Sequence, residues 1–581
     1  MSWIFGILRK NKQTVIPRKE YHPFKSKDKF SVETKDYYFA SGTGHKNSFY
    51  KYDQKKNSGW MVCGTGISFE KDTFCLMDFH DWEAFLSKKN NNIRDLNGHF
   101  IIVEWERGEV RIRNDQLGMR DMYFAENDNY FSFSTRLDWL IPFANNPEID
   151  FKVYGSIWLY INSFCYNCFV RNIERLGQGG KAKIINNKLY ISTSPWLPQY
   201  AKAIDKKDAR DLIYRFCTIG IKQQKDLILG LSGGLDSRVL LSILLKFNYE
   251  KWMAYTYGDN EFPDAIIANK TANKLGFSHK FITVSIPREE ELSKYEDFVL
   301  ETNGFVNGYF FYEQEHYNRI QKNHLLIDGG KGAFCRRNHA KHLWLKGRNH
   351  ILDGNSEEVL KNITLNKPRI FKKDIINIMK NESIKEMDYI IRSMPKLTEV
   401  GAGNWVDIFT VRYHCANAGS PLQTRLDSII CNYMPFLQPS FLRKLFELPV
   451  SYRAWNKVYK SILHKGNSSL RQIPLVKDMS IIPFTTNTYL TFILGKLQER
   501  FQKFQTADYA QIFLTNNREF VLDTLHNRAV LEYPYYDYNI IQKLVEGYYK
   551  GEKGNAKSVL WWLTFDVWRR FLKEGRSKKL D

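Results

Sequence analysis

Two rhythms of apolar positions divide this chain. Up to about residue 195 the apolar residues alternate with polar ones or run in short stretches. "HFIIVEW" (99–105), "EVRIRND" (109–115), "DMYFA" (121–125) and "YFSFST" (130–135) are bounded by Gly, Asn and Asp. That spacing predicts short β-strands joined by turns. Between about 200 and 225 a charged stretch, "DKKDARDLIYRFCTIGIKQ", repeats its apolar positions at helical spacing and predicts a connecting helix. From 226 the order becomes strand, turn, helix, strand: "DLILGLSGG", "SRVLLSILLKF", "WMAYTYG", "DAIIANKTANKLG", "HKFITVS". Such alternation predicts a parallel sheet covered by helices. Beyond about 285 the pattern is mainly helical and ends in the aromatic run "VLWWLTFDVWRRFLKE". No internal repeat or low-complexity segment interrupts it.

Length and composition refine this picture. A chain of 581 residues is too long for one core and predicts two or three. The expected division is a first domain over 1–200 and a second over 201–581, with 485–581 as its helical C-terminal extension. With 43% hydrophobic and 15% aromatic residues the chain can fill those cores, which excludes wholesale disorder. The 85 Lys and Arg against 63 Asp and Glu give a net charge of +22. These cations are dispersed, with short clusters only at Arg9-Lys10-Lys12 and Arg576-Lys578-Lys579. No nucleic-acid-reading motif accompanies them, so the excess reads as a solvated basic surface. The eight cysteines are scattered, and Cys165 and Cys168 alone have CxxC spacing. Without a second pair or a histidine cluster they predict reduced thiols in a cytoplasmic protein, not a zinc site. Residues 1–20 lack the apolar core of a signal peptide, and no run of 18 apolar residues predicts a membrane span.

The candidate chemistry lies in "LILGLSGGLDSRVLLSILL" (227–245). A loop that leaves a buried strand and enters a helix presents unpaired N–H groups at the positive end of that helix. Gly233 and Gly234 let the backbone approach an anion, and Ser232 and Ser237 add hydroxyls. Asp236 has the wrong sign for a pure phosphate cradle but suits a magnesium ion bridging the phosphates. The Gly-Lys-Ser/Thr ending of a Walker A loop is absent. The bland alternative is a capped helix N-terminus with no ligand.

"SGGLDS" resembles the PP-motif of N-type ATP pyrophosphatases, which cleave ATP to AMP and pyrophosphate while activating a carboxyl or carbonyl oxygen. "TYGDNEFPDAIIANKTANKLGFSH" (256–279), "LLIDGGKGAF" (325–334), "MPFLQPSFLRKLFELPVSYR" (434–453) and "LWWLTFDVW" (560–568) are similar to successive segments of the asparagine synthetase family. "LNGHFIIVEW", "IRNDQLGMRDMYFA" and "YFSFSTRLDWL" resemble that family's glutaminase domain. The resemblance implies an α/β protein: an N-terminal-nucleophile-type β-sandwich (itself α+β), then a PP-loop, adenine nucleotide α hydrolase-like parallel sheet with a helical C-terminal part. It implies ATP and Mg²⁺, with nucleotide positions at Leu231, Ser232, Gly233, Gly234, Leu235, Asp236, Ser237, Tyr257, Gly258, Gly329 and Gly330. Asp236 and Asp328 are the expected metal ligands, and His279, Asp264 and Asp259 lie at element ends expected to face the nucleotide.

Three departures alter those expectations. Working glutaminases of the family begin Met-Cys-Gly-Ile, whereas Ser2 and Trp3 stand at the Cys and Gly positions here. Serine is a weaker nucleophile that needs an adjacent base, so glutamine hydrolysis is not expected. Lys331 falls where the family has a magnesium-binding aspartate, leaving Asp236 and Asp328 to share the metal or Lys331 to neutralise phosphate as a point charge. Lys477, in "IPLVKDMS", is the candidate for the late catalytic lysine, and Gln438 replaces an aspartate in "PFLQ". The expected function is an ATP-dependent ligase joining a small-molecule or peptide carboxylate to ammonia or a substrate amine. The family's β-lactam synthetases and lasso-peptide cyclases, sugar-acid amidation, and a degenerate nucleotide-binding or scaffold subunit remain as alternatives. A homodimer or a complex with pathway proteins stays open.

Overall fold

The computed structural model describes residues 2–11, 13, 29–42, 47–70, 73–198, 206–247, 249–321, 323–330, 332, 341–477, 480–485, 508–552 and 556–574. The architecture is mixed α/β, with two antiparallel sheets, one parallel sheet and a helical C-terminal part.

One antiparallel sheet orders Ile173–Arg175, Tyr123–Glu126, Tyr130–Ser134, Ile4–Arg9, Tyr37–Gly42 and Lys29–Glu33 across its width. The other orders Lys188–Ser192, Lys181–Ile185, Glu109–Asn114, Asn97–Glu106, Ser58–Glu70 and Ser48–Asp53, with Thr73–Leu76 also paired to Ser58–Glu70. Side chains from both sheets, among them Ile4, Phe39, Phe133, Met61, Ile101 and Ile112, form one core between them. The strand Ile4–Arg9 shows why "WIFGIL" reads as unbroken apolar sequence. Ile4 enters the sandwich core, while Phe5 and Ile7 point to the opposite face and pack with helices that include Phe151–Leu159 and Ala556–Glu574. A strand buried on both faces loses its polar alternation.

Helix Lys373–Ser393 crosses helix Phe151–Leu159 so closely that a Cβ on Gly155 would lie 2.6 Å from the Met379 carbonyl oxygen. In that seam burial raises the Glu386 carboxyl from 4.5 to about 7, against the opposing pull of the neighbouring Cys165 thiol and Ser156 hydroxyl. Cys165 and Cys168 are free thiols. The folded chain therefore holds a proton between these pH values that the unfolded chain has released. Its stability should fall by roughly 3 kcal/mol as pH rises from about 4.5 past 7. Glu386→Gln should flatten that part of the denaturation-midpoint-against-pH curve, and an unchanged slope would contradict the assignment.

The parallel sheet orders His279–Thr283, Trp252–Gly258, Leu227–Gly230, Leu325–Ile327 and Asn432–Tyr433. The first three strands proceed outward from the centre. The chain then returns to the other side of Leu227–Gly230, so the order reverses between Leu227–Gly230 and Leu325–Ile327. Ligands of open α/β sheets bind in such a crevice, beyond the carboxyl ends of the strands. Helix Lys206–Cys217 occupies the predicted connector. The stretch beyond 285, read as mainly helical, also supplies the strands Leu325–Ile327 and Asn432–Tyr433 and the hairpin Leu475–Lys477/Ser480–Ile482. Strands of two or three residues are too short to register a period of two. Among the described residues no helix is long and apolar enough to cross a membrane.

Candidate active site at the strand-order reversal

The glycine loop leaves Leu227–Gly230 and enters helix Leu235–Leu244, with Gly234 at the cap. Neither Gly233 nor Gly234 has a positive φ. Gly233 is instead required by crowding, since a Cβ there would sit 2.2 Å from Val476 Cγ2. The loop is braced from within: Ser237 Oγ accepts from the Ser232 amide at 3.1 Å, and Ser232 Oγ accepts from the Gly234 amide at 3.1 Å. Asp264, in the first turn of helix Pro263–Leu275, accepts from the Gly233 amide at 2.7 Å. Burial raises the Asp264 carboxyl and that bond opposes the rise. Two amides expected to face phosphate thus already hold acceptors of the chain itself. The N–H groups of the first helical turn, from Leu235 onward, carry the positive end of the helix dipole.

The second loop leaves the neighbouring strand Leu325–Ile327 and folds against the first. The Asp328 amide donates to the Tyr433 carbonyl at 3.0 Å, and Asp328 Oδ1 accepts from the Gly330 amide at 2.8 Å. A Cβ on Gly329 would come 3.4 Å from the Ser237 amide nitrogen, and one on Gly332 would come 2.5 Å from Asp236 Cγ. Only a glycine lets the second loop close on the Asp236 carboxylate. The Tyr459 hydroxyl, on helix Lys457–Lys465, donates to the Gly332 carbonyl at 3.3 Å and braces this approach. Lys331, the most consequential of the sequence-derived candidates, lies outside the described residues.

The wall of the crevice comes from the end of strand Trp252–Gly258. Tyr257 is 39% exposed and its ring stacks on His316 at 3.6 Å with an interplanar angle of 3°. Burial lowers His316 to about 3, so this ring is neutral at physiological pH. Gly258 has φ +113, which turns the chain out of the strand. Leu231 is buried and its carbonyl accepts the Thr256 hydroxyl at 2.6 Å; His279 Nε2 bonds the same hydroxyl at 2.9 Å. His279 therefore supports the loop backbone from behind, and burial keeps its ring below the usual histidine range. Asp259 accepts from the Glu261 amide and shapes the turn ahead of helix Pro263–Leu275.

Lys477 stands on the hairpin strand Leu475–Lys477, whose Val476 amide donates to the Gly233 carbonyl at 2.9 Å. Tertiary structure thus brings an exposed lysine, 240 positions on in the chain, next to the glycine loop. What fastens the hairpin there is Arg238, a residue the motif reading passed over. Arg238 is 1% exposed and donates to the carbonyls of Leu470, Ile473, Pro474 and Gly233 at 2.6–3.3 Å. Burial lowers this guanidinium to about 10. The available signal was a lone cation within an apolar helix, which needs internal acceptors when buried. Gln438 is 1% exposed; its Oε1 accepts from the Gly98 amide at 2.8 Å and its Nε2 donates to the Met434 carbonyl at 2.8 Å. An aspartate could make only the first of these bonds.

At the first expected catalytic centre, Ser2 is 0% exposed and Trp3 2%. Ser2 Oγ donates to the Asn47 carbonyl and accepts from the Gly64 amide, both at 3.1 Å. Trp3 packs edge-on against Trp139 with ring centroids 5.4 Å apart.

These features define a class: an open parallel sheet with paired glycine-containing loops at its strand-order reversal, the place where open α/β sheets bind ligands. The comparisons agree in part. Residues 210–299 match the family model described as asparagine synthase. The matched stretch contains the glycine loop, strand Trp252–Gly258 and helix Pro263–Leu275, and stops before the second loop. It points to an ATP-dependent amide-bond ligase of the asparagine synthetase superfamily, a class that joins carboxylates to ammonia or amines. No curated protein matches the chain.

Proposed function

We propose that this protein is an ATP-dependent, AMP-forming ligase of the asparagine synthetase type, with a PP-loop domain over 201–581 and an N-terminal-nucleophile-type domain over 1–200 that has lost glutaminase activity. The observation that carries the reading is the closure of two glycine-containing loops from adjacent parallel strands around Asp236. In this reading a substrate carboxylate oxygen attacks the α-phosphorus of ATP, pyrophosphate leaves, and ammonia or a substrate amine then displaces AMP from the acyl carbon. The first turn of helix Leu235–Leu244 orients the phosphates, and Leu231, Tyr257, Gly258, Gly329 and Gly330 line the nucleotide position. Lys477 on its hairpin, with Lys331, supplies positive charge for the leaving pyrophosphate. Positioning and charge neutralisation are the main contributions of a protein to such transfers.

The donor set fits a magnesium ion. Mg²⁺ takes one or two carboxylates and completes its shell with phosphate and water oxygens. Asp236, which Gly332 approaches, and Asp328, at the start of the same second loop, offer two carboxylates. The ion would neutralise phosphate charge there.

Calorimetric titration of ATP with and without Mg²⁺, followed by a pyrophosphate-release assay over candidate carboxylates, tests the proposal. Magnesium-dependent binding supports it, and absence of binding under both conditions overturns it. A cyclase joining a carboxylate and an amine of one substrate, of the lasso-peptide or β-lactam kind, and a sugar-acid amidating enzyme use the same activation step and differ in the product formed. The occupied Gly233 and Gly234 amides favour a second reading, a non-catalytic nucleotide-binding or scaffold subunit. Pyrophosphate release abolished by Asp236→Ala would exclude it.

The burial of Ser2 yields a separate expectation. Incubation with glutamine should release no glutamate, and Ser2→Ala should leave ammonia-dependent pyrophosphate release unchanged, at a cost of about 1 kcal/mol for its hydrogen bonds. Glutamate release lost in Ser2→Ala would reinstate a nucleophilic serine.

A further inference from the structure

A sealed first module raises the question of what it still does. Its contacts with the parallel sheet converge on one strand. Asn432–Tyr433 is the last strand of that sheet, two residues long, and among the described residues it pairs as a strand only with Leu325–Ile327. An unpaired edge of this kind is ordinarily left to solvent or covered. Here the first module covers it: Thr65 Oγ1 donates to the Asn432 carbonyl at 3.0 Å.

A buried charge cluster fixes the approach to the same strand. Asp427 is 0% exposed, near the end of helix Ser420–Ile429. Its carboxylate accepts from His99 Nε2 at 3.0 Å and from Arg120 Nη1, both of the first module, and from Asn432 Nδ2 at 2.8 Å. Arg120 is itself 0% exposed and donates through Nη2 to the Ser2 carbonyl at 3.0 Å. Burial pushes the Asp427 carboxyl up, but His99 and Arg120 outweigh it and hold the group below its usual range. On the far side of the strand the Gly98 amide binds Gln438, and Asn97 Oδ1 accepts from the Ser440 amide at 2.9 Å. The strand is thus tied to the first module before, at and after its two residues.

The second loop begins where this strand ends. The Asp328 amide donates to the Tyr433 carbonyl and the Leu326 amide to the Cys431 carbonyl, each at 3.0 Å. A shift of Asn432–Tyr433 would carry Asp328 with it, and with it the approach of Gly332 to Asp236.

We infer that the first module serves as a template for the second loop of the crevice, with Asp427 and Thr65 as positioning residues that set Asp328 through the strand Asn432–Tyr433. The consequence for ATP rests on the nucleotide reading above, whereas the positioning itself can be measured without it.

The test uses the full chain as wild type, Thr65→Val, Thr65→Ser and Asp427→Asn. Thr65→Val deletes one hydroxyl at nearly constant volume, so it keeps the test decisive if Asp427→Asn fails to fold. Amide hydrogen exchange is read for peptides covering 325–330 and, as internal reference, 227–230; local opening raises exchange in one segment without raising the other. Thr65→Val should speed exchange at 325–330 about fivefold, the factor of one net hydrogen bond, and leave 227–230 unchanged. Thr65→Ser should restore protection. Magnesium-ATP affinity, measured by calorimetry on the same samples, should weaken about fivefold in Thr65→Val. Unchanged exchange at 325–330, or an equal rise in both strands, overturns the inference. A wild-type chain that binds no magnesium-ATP overturns the nucleotide reading, and the exchange result then decides the positioning role by itself.

Discussion

Asp236→Ala should abolish magnesium-dependent ATP binding and lower any pyrophosphate release by about a hundredfold or more. The magnitude follows from the cost of removing one preorganised electrostatic group from a transfer site, typically 10²–10³ in rate. Asp236 lies in the first turn of helix Leu235–Leu244, where an acidic side chain already benefits from the helix dipole. Its replacement therefore affects local stability by no more than about 1 kcal/mol, and the binding loss can be separated from unfolding. Asp328→Ala should also weaken magnesium-dependent binding, and because Asp328 holds its own turn through the Gly330 amide, part of that loss reflects a loosened second loop. The check is calorimetry on both variants with and without Mg²⁺. Binding that becomes independent of magnesium in Asp236→Ala identifies the ligand. Magnesium dependence that survives in both variants would mean that neither carboxylate holds the ion.

Arg238→Met is expected to have the largest effect on stability, roughly 3 kcal/mol or more, with a further loss of nucleotide affinity in the molecules that stay folded. The guanidinium reaches four carbonyls; those of Gly233 and Leu470 keep backbone donors from Val476 and Ile473, but a methionine leaves those of Ile473 and Pro474 without this donor, at about 1–3 kcal/mol for each that water cannot reach. The same change releases the segment Leu470–Pro474, which leads into the Lys477 hairpin. Because the group remains protonated well past neutrality at about 10, the destabilisation should be equal at pH 6 and pH 8. Arg238→Lys should not rescue it, since one ammonium on a flexible stem cannot reproduce a planar fork of donors. Thermal unfolding and ATP titration of the two variants provide the measurement, and wild-type behaviour of Arg238→Lys would show that charge alone suffices.

The portions of the fold legible in sequence are those with local causes. The run "DLILGLSGG" followed by "SRVLLSILLKF" could only place a glycine pair between a buried strand and a helix, and the structure has Leu227–Gly230 and Leu235–Leu244 on either side of it. Alternation in "EVRIRND" and "YFSFST" likewise yielded the strands Glu109–Asn114 and Tyr130–Ser134, because a half-buried strand must repeat every two residues. The composition of the loop carries the proposed chemistry and no more than that, since glycines and hydroxyls before a helix suit an anion and an added carboxylate suits a cation.

What only the tertiary structure decided depends on partners far apart in the chain. Gly233 reads as a residue that admits a ligand, yet its missing side chain makes room for Val476, and its amide is held by Asp264. Arg238 reads as an ordinary helix residue until the carbonyls of 470–474 arrive to surround it. The strands Leu325–Ile327 and Asn432–Tyr433 are too short to carry a periodic signal and exist because Leu227–Gly230 and Thr65 supply hydrogen-bond partners on their edges. Sequence determines the period of an element and the chemistry of its loops, because both arise from neighbours within a few residues. The choice of which loops meet, and which amides remain for a ligand, is made by packing, where each backbone group takes whatever partner the fold brings within about 3 Å.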